Sequence, residues 1–146
     1  MEDKVMKFNS QICTTRSQSE RLLALGLKRE TADCYLEYVG RDNYGNNVWH
    51  SSTIVNNYRT PDYSRDFPAW SLHRLMEMVP FNLRDKKGYT YDFMIEDDNT
   101  ISYYYFSEHS WYCNKYWGKN NLYDNFIDCI EWLIKEGYFN KEYLEE

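Results

Sequence analysis

The sequence has few of the residues that interrupt regular structure, and it has no long apolar run. Three prolines and six glycines in 146 residues, with 42% hydrophobic residues, exclude a disordered or low-complexity chain and predict a single domain over 1–146. No stretch approaches the roughly 18 apolar residues of a membrane-spanning helix. The opening MEDKVMKFNSQIC contains acidic residues and no apolar signal-peptide core, so we expect a cytoplasmic protein without a membrane span.

Motifs for catalysis or cofactor binding are also missing. There is no glycine-rich phosphate loop, no H-E-x-x-H pair and no G-x-S-x-G element. His73 and Glu77 are spaced for one helix face, and His109 and Cys113 have H-x3-C spacing, but each pair supplies too few ligands for a metal ion. We therefore predict no catalytic, cofactor-binding or metal-binding residues.

The four cysteines have no close spacing that would indicate a disulfide framework or a zinc site. They are Cys13, Cys34, Cys113 and Cys129. In a chain without an export signal we expect them to be reduced and mostly to serve as small core residues. Cys129 falls on the apolar stripe of a predicted helix, which favours a core position. Cys113 is the cysteine whose reactivity should be tested with a thiol reagent.

The net charge of −6 is unevenly distributed along the chain. Residues 1–60 contain eight basic and seven acidic side chains, 61–119 contain seven and nine, and 120–146 contain two and seven. The acidity therefore belongs to the last segment. It disfavours nucleic acid as a partner and leaves one alternative open, an acidic inhibitor that mimics nucleic acid.

Three stretches have helix signals, namely a side chain that can cap the first turn, an apolar stripe and a terminating residue. They are a helix near 17–25 capped by Thr15 or Ser17, a second capped by Ser71 and ended by Pro80, and a third capped by Asn121 and ended by Gly137.

Alternation of apolar and polar residues predicts the strands. They are CYLEYV with a returning VWHSSTIV, then YTYDFMIE and ISYYYF joined by the turn DDNT, and a further strand at WYCNKYW. NNYRTPDYSRD is the best candidate for a mobile loop. The predicted fold class is α+β, an antiparallel sheet of about four or five strands with three helices, the C-terminal helix packed on the sheet.

Several of these segments together resemble a known group of proteins. TADCYLEY, PAWSLHRLMEMVP and DNFIDCIEWLIKEG, behind the opening TTRSQSERLLALGL, are similar to a family of small uncharacterised proteins of gut Bacteroides and their phages and mobile elements. The resemblance covers most of the chain. It implies the architecture and an accessory role in a phage or mobile element, but the family has no assigned activity and implies no site residue.

The most informative feature of the sequence is its aromatic run. Residues 103–117 read YYYFSEHSWYCNKYW, with eight aromatic residues. On a strand, Tyr103 and Tyr105 point to one face while Tyr104 and Phe106 point to the other, so one face can be core beneath a helix. The other face is open to three readings: packing of both faces, stacking of nucleic-acid bases, or contact with a protein.

Local charge helps to choose between these readings. Glu108, Lys115 and Lys119 nearly balance, whereas base-stacking surfaces surround their rings with Lys and Arg. We therefore predict a non-enzymatic interaction domain that binds another protein or itself. Its candidate interaction surface comprises Tyr104, Phe106, His109, Trp111, Tyr112, Tyr116 and Trp117.

One more alternative uses the same aromatic residues differently. A small enzyme or ligand-binding domain could line a pocket near His109 with these rings, with Glu108 and Tyr112 as further polar groups. Only geometry separates this reading from the protein-contact reading, because the spacing of the residues fits both.

Overall fold

The computed structural model describes residues 6, 10–53, 61–62, 65–108 and 110–146. Within them the helices are α1 (Arg16–Ala24), α2 (Leu72–Met78) and α3 (Leu122–Glu136). The strands are β1 (Cys34–Arg41), β2 (Asn47–Thr53), β3 (Phe67–Ala69), β4 (Asn82–Arg84), β5 (Thr90–Ile95), β6 (Ile101–Ser107) and β7 (Ser110–Trp117). Most of the predicted loop 56–66 lies outside the described residues. No helix in the described part is long and apolar enough to span a bilayer.

The predicted helix caps are confirmed. In α1, Thr15 accepts a hydrogen bond from the backbone N–H of Gln18, and the Gln18 side chain accepts one from the Thr15 N–H, which completes a capping box. Ser71 caps α2 by accepting a hydrogen bond from the N–H of Arg74, and Asn121 caps α3 by accepting one from the N–H of Asp124. Gly137 ends α3 with φ 79°, a left-handed conformation in which a side chain would be strained.

The strands form two antiparallel sheets, in the orders β2-β1-β3 and β4-β5-β6-β7. The predicted α+β class, with the C-terminal helix on a sheet, is confirmed. The division into two sheets was not predicted. It arises because β3 pairs with β1, whereas β4 pairs with β5 of the β5–β6–β7 meander. Strands β3 and β4 are each three residues long.

The main core lies between α3 and the four-stranded sheet. The apolar stripe of α3 is fully buried at Phe126, Ile130 and Leu133, and it meets Ile101 and Tyr103 of β6, which are equally buried. Burial of side chains of this size contributes about 1.5–3 kcal/mol each. A smaller cluster on the other sheet contains Cys13, Cys34, Leu36 and Ala69. The position of α3 therefore determines which face of the aromatic strands is core.

Candidate functional site

Strand β6 divides its aromatic residues between two faces, as its alternation predicts. The ring of Tyr103 lies 6.1 Å from that of Trp132 in α3, and burial raises the pKa of the Tyr103 phenol. Tyr104 and Phe106 point to the opposite side. We call that side the outer face; its aromatic and sulfur-containing side chains are Met94, Tyr104, Phe106, Cys113 and Tyr116, and the register also places Asp92 and Ser102 on it.

A β-bulge decides which residues of β7 reach the outer face. Tyr103 pairs with Lys115, but the next residue, Tyr104, pairs with Cys113, so Asn114 is an extra residue. The bulge reverses the alternation within β7. As a result Tyr116, opposite Ser102, shares the outer face with Cys113.

Tyr112 pairs with Tyr105 on the helix-facing side, and the same bulge puts Trp117 on that side as well. Trp117 lies 5.6 Å from Trp132, and Tyr112 stacks on Tyr105 at 4.9 Å. Simple alternation would place two residues five positions apart on opposite faces. The seven residues of the predicted surface therefore do not share one face: Tyr112 and Trp117 belong to the core side of the sheet.

Three tyrosines form a stack across the strands beyond the C-terminal end of α3. Tyr105 lies between Tyr112 and Tyr89, whose ring centroid is 5.3 Å away, and the edge of Tyr91 meets Tyr105 at 90°. The Tyr91 hydroxyl donates a hydrogen bond to Asp85 at 3.0 Å. Burial, and then the hydrogen bond to Asp85 and the negative charge of Asp85, raise the pKa of Tyr91 to about 12. Cross-strand aromatic contacts of this kind stabilise a sheet.

An open groove of about 410 Å³ lies beside this stack. Its lining comprises Asp85, Lys86, Lys87, Tyr89, Tyr91, Tyr105, Asn114, Glu136 and Tyr138. Neither Glu108 nor Tyr112 lines this groove, and His109 lies outside the described residues. The groove therefore gives no support to the alternative of a pocket built from those three residues.

The outer face exposes large apolar side chains. Phe106 is 55% exposed, Tyr116 66% and Met94 38%, and Cys113 is also exposed. Tyr104 is half-buried, and its hydroxyl approaches Glu96 at 3.4 Å. The backbone of Trp111 in β7 pairs with that of Phe106 in β6, but the Trp111 side chain lies outside the described part of the structure.

Charged residues within the strands of this sheet are few and mixed in sign. In the four strands the charged residues are Arg84, Asp92 and Lys115. Glu96 and Glu108 directly follow β5 and β6. The sheet thus lacks the excess of positive charge that nucleic-acid binding requires.

Within the described part of the chain, the residues considered for metal binding do not assemble into a site. No group of three potential metal ligands occurs among the described residues. His73 and Glu77 form an exposed contact at 3.2 Å on α2. Cys129 is buried in the core as predicted, and burial raises the pKa of its thiol, which disfavours the reactive thiolate.

Part of the acidic C-terminal segment is neutralised within the fold. Asp128 pairs with Arg21 at 2.6 Å and with Lys119 at 2.8 Å, and Glu131 also pairs with Arg21 at 2.8 Å. The two contacts of Arg21 join α1 to α3. Burial disfavours the Asp128 carboxylate, but the hydrogen bonds from Lys119 and Arg21 outweigh it, so the pKa of Asp128 is lowered.

We expect Asp128→Asn to destabilise the fold by about 1–2 kcal/mol at neutral pH, because it leaves Arg21 and Lys119 without their shared anion. A lowered pKa in the folded state means that Asp128 stabilises the protein above its ordinary value of 3.8. That stabilisation is lost as the pH falls through the lower folded value. Urea denaturation over a pH series should therefore show the difference between the two proteins shrinking below pH 3.8. A difference that does not depend on pH would contradict this assignment.

Comparison with protein-family models, with curated proteins and with solved structures finds no match for this chain.

Proposed function

We propose that this chain is a non-enzymatic protein-interaction domain whose contact surface is the outer face. The observation that carries the proposal is the grouping of Met94, Phe106 and Tyr116, all large, apolar and exposed, on one side of the sheet. Single exposed apolar residues are ordinary, whereas a group on one surface is typical of an interaction site. Tyr, Phe and Met are also enriched at the centres of protein interfaces.

The charges indicate what kind of partner fits. A surface with few charges of mixed sign favours an apolar partner surface of low net charge. A second copy of the chain meets this requirement, because its outer face has the same composition. Strand β7 lies at the edge of the sheet next to that face, and two antiparallel edge strands can pair about a two-fold axis. We therefore assign a second copy as the partner.

Light scattering coupled to gel filtration tests the assignment. We expect the wild-type mass to rise with concentration from 17.8 kDa towards twice that value. The double variant Phe106→Ser with Tyr116→Ser should stay at the monomer mass over the same range. Loss of about 1–2 kcal/mol at each aromatic contact would weaken dimerisation by roughly 30-fold or more.

Tyr44→Ser is the matched control, because Tyr44 is 90% exposed but lies in the turn between β1 and β2. It should dimerise as the wild type does. A wild type that remains monomeric at every concentration would overturn the assignment of a second copy. Dimerisation of the double variant with wild-type affinity would place the contact elsewhere on the molecule.

The other readings receive less support. An acidic mimic of nucleic acid needs free carboxylates, but Asp128 and Glu131 are engaged by Arg21 and Lys119. A role as an accessory factor of a phage or mobile element is compatible with an interaction domain. That role rests on the resemblance of the sequence segments alone.

A further inference from the structure

Cys13 and Cys34 are distant in sequence but adjacent in the structure. Cys34, the first residue of β1, pairs with Ala69 of β3, and Cys13 forms an antiparallel bridge with Ser71. Because Ala69 and Ser71 are alternate residues of one extended segment, the two cysteines face the same side of it. Both belong to one small buried cluster, which also contains Leu36 and Ala69.

Their surroundings make the two thiols chemically unequal. The hydrogen bond with Cys34 lowers the pKa of Cys13 against the effect of burial, and a further hydrogen bond with Ser51 adds to it. The contact with Cys13, followed by burial and the nearby Asp33 carboxylate, raises the pKa of Cys34. Cys13 is therefore the thiol that ionises more readily, and the thiolate is the reactive form.

Cys13 is buried, at 4% exposure, but it is one of the residues that line a cavity. A cavity of about 390 Å³ is lined by residues of the segment before α1, including Cys13, together with Leu36, Trp49 and Ser51. A water-sized molecule occupies only a small part of such a volume. A small oxidant can thus approach the thiol whose pKa is lowered.

We propose that Cys13 and Cys34 are a reversible dithiol–disulfide pair that responds to hydrogen peroxide. The Cys13 thiolate attacks one peroxide oxygen, the O–O bond breaks, and hydroxide leaves to give a sulfenic acid. The Cys34 sulfur then attacks the Cys13 sulfur, which forms the S–S bond and releases water. Overall the two thiols lose two electrons and two protons, and the peroxide is reduced to two molecules of water. A thiol reductant reverses the change by thiol–disulfide exchange.

The disulfide would fix the segment that leads into α1 to the start of β1. It would close a loop of roughly 20 residues that contains all of α1, and so it would restrict the unfolded chain. In a reducing cytoplasm such a bond is transient, and this matches a sensing role better than a permanent structural one. The inference is independent of the outer face.

Peroxide treatment of the full chain tests the proposal. Intact mass should fall by two hydrogen atoms, and peptide mapping after alkylation should show Cys13 linked to Cys34. The oxidised protein should melt roughly 5–10 °C above the reduced protein, and a thiol reductant should restore the lower value.

Variants separate this pair from the other thiols. Cys13→Ser and Cys34→Ser should each abolish the shift in melting temperature, whereas Cys113→Ser should leave it unchanged. If a serine variant does not fold, the peptide map of the wild type decides alone. Peroxide that oxidises the exposed Cys113 but leaves Cys13 and Cys34 unlinked overturns the proposal. So does a melting shift that persists in Cys13→Ser.

Discussion

Phe126→Ala will lower the free energy of unfolding by about 3–5 kcal/mol, the cost of removing a large side chain from a packed core. Phe126 is fully buried in α3, and its ring lies 5.7 Å from that of Phe93 in β5. The truncation loses apolar burial. It also leaves a cavity between the helix and the sheet, which a rigid sheet cannot close. Urea denaturation monitored by tryptophan fluorescence measures the loss.

Tyr116→Ala is the matched control for this prediction. It also removes one aromatic ring, but from the outer face, where the side chain is 66% exposed. We expect a change within about 0.5 kcal/mol. Similar losses for the two variants would contradict the assignment of one face of the sheet to the core and the other to solvent.

Asn125→Ala will cost about 2–4 kcal/mol through hydrogen bonds rather than apolar contacts. The Asn125 side chain is fully buried; it accepts from the N–H of Lys119 and donates to the carbonyls of Lys119 and Asn99, each at 2.8 Å. Removal leaves these part-buried backbone groups without the Asn125 partner, and each hydrogen bond of this kind contributes about 0.5–1.5 kcal/mol. The three bonds tie the β5–β6 turn to the segment between β7 and α3.

Asn120→Ala provides the control for Asn125, because Asn120 is exposed and close in sequence. Its denaturation midpoint should remain near that of the wild type. Equal midpoints for the two variants would show that Asn125 does not hold these segments together. Hydrogen exchange should also show faster exchange of the Lys119 amide in Asn125→Ala alone.

Local signals in the sequence were enough to predict the helices and most strands. The capping box at Thr15 and Gln18, the Asn121 cap and Gly137 each act within one or two turns of a helix, so their spacing carries the information. Strands β3 and β4 were missed, because three residues are too few to show an alternation.

Strand alternation predicted only part of the candidate surface, namely the orientation of the β6 side chains. The opposite orientations of Tyr103 and Tyr104 follow from the two-residue alternation of side chains along a strand, and the structure confirms them. The bulge at Asn114 depends on pairing with β6, and it places Trp117 on the same core side as Tyr112, which pairs with Tyr105. The contact of Cys13 with Cys34 is tertiary, and no spacing in the sequence indicates it.

Hydroxyl-radical footprinting at low and high protein concentration tests the central claim most directly, because it reads the exposure of individual side chains. If the outer face is where two copies meet, oxidation of Met94, Phe106 and Tyr116 falls as the concentration rises, while oxidation of Tyr44 does not change. The claim would be contradicted if the oxidation of each of the four residues were the same at both concentrations, in a sample whose mass has doubled.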